Sequence, residues 1–151
     1  MNVMDSREPH AGITKAEMAA REESMLGFPR SRLVQEKGYD EGEGCGFDGM
    51  NTSAMYQRRW SALTDSETLR HWYRDQLTAR GWERTSGEGR AELPPLMDVF
   101  RRGSDVFVLR VFGHASDRPF WMYWPPGEKG DTGLHYDAVL EATSGADTPP
   151  G

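Results

Sequence analysis

The chain holds one cysteine, Cys45, in 151 residues. A lone thiol forms no intrachain disulfide, so the fold must rest on packing. No apolar run reaches the about 18 residues that a membrane-crossing helix needs. The opening residues, M-N-V-M-D-S-R-E-P-H, contain no apolar signal core. The expectation is a chain without a transmembrane segment, cytoplasmic as written and extracytoplasmic if the true start codon lies upstream. Lysine is scarce, 3 against 15 arginines, and no region is strongly basic. Residues 1–50 carry 6 basic and 10 acidic side chains, residues 51–118 carry 11 and 9, and residues 119–151 carry 1 and 5. These sum to the net charge of −6 and give no electrostatic footprint for nucleic acid. The phosphate-loop pattern G-x-x-x-x-G-K-[ST] and the nucleophile elbow G-x-S-x-G are both missing.

What is present is enough for one domain. An aromatic share of 11% supports a packed core, whereas the hydrophobic fraction of 36% is low for a chain that is compact throughout. Disordered tails are therefore expected at residues 1–13 and 144–151, around an N-terminal helix at 14–27 and a single domain at 28–143. The strongest local signal is T-D-S-E-T-L-R-H-W-Y-R-D-Q-L-T-A-R-G-W, residues 64–82. Thr64 and Glu67 have capping-box spacing. Leu69, Trp72, Tyr73 and Leu77 form one helical stripe. Gly81 offers the left-handed stop, with Trp82 packing back on the last turn. A second box, Thr14 and Glu17, opens a helix with the thinner stripe Met18, Met25 and Leu26, which Glu22 interrupts and Gly27 and Pro29 end.

Strands are expected from Leu33, from Met55 to Leu63, from Trp82, from Leu96 to Arg102, from Val106 to Phe112, from Phe120 to Trp124 and from Tyr136 to Ala142. The glycine- and acid-rich stretch 38–49 reads as a loop. This order implies an α+β fold, an antiparallel sheet of about five or six strands with one long helix on one face. Val106 to Phe112 is apolar on both faces and should be central. One helix covers one face, so the other needs the N-terminal helix, a partner chain or a ligand.

The elements W-Y-R-D-Q-L-T-A-R-G-W, then D-V-F-R-R-G, then V-F-V-L-R-V resemble a domain of small uncharacterised proteins and lipoproteins of actinobacteria. The leading F-P-R-S-R-L-V at 28–34 fits the same layout, and the similarity spans roughly residues 28–142. The resemblance implies helix packed on sheet and supplies no activity.

Chemistry-bearing residues are few. Cys45 sits among glycines and acids, and carboxylates disfavour a thiolate. Counted from Asp40, the third, fifth and sixth positions of a calcium loop are Gly42, Gly44 and Cys45, which fails the EF-hand pattern. No metal site and no cofactor are expected. His71 and Asp75 are four apart on the long helix, half of a triad or an ordinary surface pair. His114 and His135 lack metal-ligand spacing. The aromatic run 120–124 places Trp121 and Tyr123 on one strand face and Phe120, Met122 and Trp124 on the other. Arg110 interrupts the central apolar strand and needs an acidic or carbonyl partner if buried, or serves an anionic group if it lines a groove. The reading is a small soluble binding module, without catalysis, whose partner surface contains Trp121, Trp124, Tyr123 and Arg110. An unknown protein or a second copy of the chain is the expected partner. The alternative is a small hydrolase-like enzyme using a histidine.

Overall fold

The computed structural model describes residues 12–42, 53–88, 96–114 and 133–143. Among these residues six strands, two α-helices and a 3₁₀ turn follow one another as α1 (Lys15–Ala19), the 3₁₀ turn (Glu23–Met25), β1 (Arg32–Tyr39), β2 (Ala54–Ala62), α2 (Ser66–Ala79), β3 (Glu83–Glu88), β4 (Leu96–Arg102), β5 (Asp105–His114) and β6 (Leu134–Ala142). The strands make one sheet in the order β1-β2-β6-β5-β4-β3. Every neighbouring pair is antiparallel. The expected α+β class and antiparallel sheet are what the chain adopts, with strand predominating and two α-helices among the described residues.

The long helix starts one residue later than the capping-box spacing suggests. Asp65, not Thr64, is the N-cap, and its carboxylate accepts from Thr68 N at 2.8 Å. Aspartate and threonine both cap well, so the spacing alone did not separate the two. The C-terminal end follows the expectation closely. Gly81 has φ +90, its N–H donates to Thr78 O, and the Trp82 N–H donates to Leu77 O. This is a Schellman closure, with Leu77 and buried Trp82 joining one apolar cluster. A Cβ at Gly81 would meet only Arg102 Cδ, at 3.7 Å. Gly81→Ala is therefore expected to cost about 1 kcal/mol, through backbone conformation and not through a clash. Urea unfolding of the variant against the parent chain checks this.

The expected helix over 14–27 breaks after Ala19. Its capping box forms as read, with Thr14 accepting from Glu17 N and Glu17 accepting from Thr14 N. A straight continuation would press Glu22 into the stripe of Met18, Met25 and Leu26. The chain turns instead, and Glu22 reaches outward to Arg80 at 2.7 Å. Glu23 is buried, 3.1 Å from Arg102. Met18 joins the same buried cluster as Leu69, Tyr73 and Leu77. The N-terminal segment therefore shares α2's face of the sheet and does not cover the opposite one.

Leu69, Tyr73 and Leu77 are fully buried against Phe100, Phe107, Leu109, Val111 and Tyr136. Trp72, expected on the same stripe, is only half-buried at its margin. β5 is interior, as its doubly apolar pattern implied, but β6 beside it is more deeply buried along its length. The strand expected at Phe120–Trp124 lies outside the described residues.

Candidate functional site

At the head of α2 an open groove of about 550 Å³ separates the helix from the segment that precedes β1. Its apolar wall is Phe28 and Trp72, and its rim carries Asp65, Glu67 and Asp75, with Thr68 and His71 between them. The two rings meet edge-on at 5.4 Å between centroids and 74° between planes. Trp72 continues edge-on into Tyr73 at 5.0 Å, which ties the wall to the core.

Phe28 reaches this place because its backbone is fastened from below. Tyr136 Oη accepts from Phe28 N at 3.0 Å and lies 2.8 Å from Ser31 Oγ. Tyr73 Oη donates to Leu26 O at 2.6 Å. Burial pushes the hydroxyls of Tyr73 and Tyr136 above the ordinary tyrosine range, so both stay protonated. Between them they satisfy the Phe28 N–H and the Leu26 carbonyl of a segment that lies outside the strands. The same short bend contains Arg30 at φ 67, a left-handed conformation uncommon outside glycine.

The groove is electrostatically one-sided. The Thr68 N–H, then the Thr68 hydroxyl, hold the Asp65 carboxyl below its ordinary value, so it remains ionised. Glu67 and Asp75 add two more carboxylates. Against three negative charges the helix N-terminus offers only about half a positive one. His71 Nε2 stands 3.6 Å from Asp75 Oδ2, with both side chains about two-thirds exposed. Among the described residues no arginine or lysine lines the groove.

On the opposite face of the sheet the register places Arg59, Asp137 and Arg110 directly across three adjacent strands. Arg110 donates to the Asp137 carboxylate through Nε at 3.0 Å and Nη2 at 3.2 Å. Gln57 Nε2 donates at 2.9 Å, and Arg59 Nε lies 3.4 Å away. Asp137 is fully buried, while 35% of the Arg110 side chain remains exposed. Burial raises the Asp137 carboxyl above its ordinary value, and Arg110 and Arg59 pull it back. The phenyl ring of Phe112 sits 5.8 Å from the Arg59 guanidinium and 5.9 Å from that of Arg110. Arg110 thus has the acidic partner its position demanded.

A second buried carboxylate joins helix to sheet. Asp98, 1% exposed, accepts from Arg70 Nε at 2.8 Å and Nη2 at 3.0 Å. Arg84 adds contacts at 3.2 and 3.1 Å. Burial alone would raise the Asp98 carboxyl, but the bonds and charge of Arg70, then Arg84, outweigh it and hold the value low.

Of the expected partner-surface residues, only Arg110 is placed. Trp121, Tyr123 and Trp124 lie outside the described residues, as does Cys45. His135 is buried within β6, and His114 is the last residue of β5. The run G-C-G-F-D-G, Gly44 to Gly49, has the glycine spacing of a dinucleotide fingerprint. It stands between β1 and β2, an antiparallel pair, whereas that fingerprint belongs to a βαβ unit with parallel strands. Among the described residues no group of three or more His, Cys, Asp or Glu is arranged to hold a metal ion, and no helix is long and apolar enough to cross a membrane. The groove itself was not foreseen. Phe28 and Trp72 are 44 positions apart in the chain, and only the tertiary fold brings them together. Comparison with protein-family models, curated proteins and solved structures gives no match.

Proposed function

We propose that this chain is a small binding domain, without catalytic chemistry of its own, that docks a partner in the groove at the head of α2. The observation carrying this reading is the groove's make-up: a fixed aromatic wall, an ionised rim, and no nucleophile with a base behind it. A histidine-dependent hydrolase would need His71 to activate a hydroxyl. The hydroxyl that lines the groove with it, Thr68 Oγ1, instead donates to Asp65 at 3.1 Å. His71 and Asp75 are solvent-exposed at the groove's edge, which suits recognition better than proton transfer. A second reading retains the sheet surface of Arg110 with Trp121, Tyr123 and Trp124 as the docking face for a protein or a second copy. It is favoured by the way Asp137 orients a half-exposed Arg110.

Position-specific photo-crosslinking separates these readings. A cross-linking residue at His71 is expected to trap a discrete adduct from the native cell extract, and the adduct should vanish when Trp72→Ala is added. The same residue at exposed Glu83 should trap nothing comparable. An adduct from Val106 on the opposite face, with none from position 71, would favour the second reading.

A further inference from the structure

Resting on the groove's being a docking site, we infer that its occupant is a cationic side chain, an arginine or lysine flanked by aliphatic residues, on a segment of a partner protein. The charge balance is the first reason. Asp65 spends its acceptors on Thr68, leaving Glu67, whose charge also acts on Arg70, and Asp75, paired only with exposed His71 at 3.6 Å, as the rim carboxylates that a ligand meets. Two carboxylates exceed the half charge of the helix end, so the groove attracts cations where a bare helix N-terminus would attract anions.

The aromatic wall is the second reason, and it is independent of the charges. Phe28 and Trp72 form a corner with half-buried rings, held by the bond from Phe28 N to Tyr136 Oη. A guanidinium or ammonium over the indole face is attracted by its quadrupole, and the aliphatic stem packs on the ring beside it. Leu63, 85% exposed, does not line the groove but stands two residues before the Asp65 cap in sequence, an apolar side chain on offer to an aliphatic neighbour of the cation. Among the described residues, cationic contacts on aromatic rings are made elsewhere, as with Arg102 over Trp82 at 4.6 Å. Arg70, which precedes His71 on α2, is committed to Asp98.

The test is an amide NMR titration of the full chain with a blocked Leu-Arg-Leu peptide and with the same peptide carrying citrulline, which keeps the shape and loses the charge. The arginine peptide is expected to shift the amides of residues 65–75 and of Phe28. Citrulline, which loses both the cation–π contact and the exposed ion pairs, should weaken binding about tenfold, and Trp72→Ala or Glu67→Gln combined with Asp75→Asn, each losing one of the two, about threefold. Equal binding of the two peptides would overturn the cationic assignment and leave the docking site standing. Shifts at 65–75 that arise on concentrating the protein alone would make a second copy the occupant and also overturn it. Silence of both peptides, with an adduct still formed from position 71, would sink this inference alone. Silence with no adduct would sink the docking site as well.

Discussion

Leu77→Ala is expected to destabilise the fold by about 2–5 kcal/mol, the range for truncating a buried leucine. Leu77 is fully buried in the cluster that α2 forms with the sheet. Its carbonyl also accepts the N–H of Trp82, so the residue lies where the helix closes and β3 begins. Relaxation of the last turn could shrink the cavity, which sets the lower end of the range. Denaturant unfolding followed by far-UV circular dichroism measures the change. A shift under about 0.5 kcal/mol, the scale of surface substitutions, would mean that the stripe does not face a packed core.

The next largest effect is expected at Asp98. Asp98→Asn leaves Arg70 and Arg84 without their carboxylate. Breaking a fully buried pair costs about 3–5 kcal/mol, but Arg70 and Arg84 keep 21% and 36% of their side-chain surface in solvent, so about 1–3 kcal/mol is expected here. The loss depends on pH with a definite sign. The Asp98 value lies below the ordinary 3.8 in the folded chain, so its contribution is complete above that value and is lost as pH falls below it. Asp137 acts in the opposite sense. Its folded value lies above 3.8, so the folded state takes up the proton first, and stability declines as pH rises from 3.8 through the raised value. Unfolding midpoints between about pH 7 and about pH 3 should show Asp98→Asn flattening the acid loss of stability and Asp137→Asn steepening it. Equal slopes in both variants would contradict the contrast drawn between the two faces of the sheet.

The local elements were legible because their determinants are local. Helix α2 carried its cap region, its stripe and its glycine stop within 19 consecutive residues, 64–82. The strand Leu96–Arg102 was read at its observed bounds because two apolar periods flank a Gly103 turn. Where a signal was weak, the structure departed from it. The 14–27 stripe was broken by Glu22, and the helix ended early with Glu22 turned outward. The clusters were not legible, for a different reason. A period of two tells which face a residue takes but not which residue stands opposite. Arg110 could therefore be seen to need an acid, whereas Asp137 as that acid required the β5–β6 register. Asp98 and Arg70 meet only when the helix is laid on the sheet, 28 positions apart. The groove combines both difficulties. Its wall joins Phe28, held by Tyr136 at a separation of 108, to a tryptophan that the helical stripe assigned to the core.

The central claim is that partners meet this protein at Trp72. The chain has five tryptophans, at positions 60, 72, 82, 121 and 124, and fluorine NMR of the fluorotryptophan-labelled protein reports on each, with single Trp→Phe variants assigning the signals. On titration with the partner recovered from the position-71 adduct, or with the Leu-Arg-Leu peptide, the resonance of Trp72 is predicted to shift or broaden while those of Trp60 and Trp82 stay in place. Movement of the Trp121 and Trp124 resonances with Trp72 unchanged would contradict the account and return the docking surface to the aromatic run 120–124.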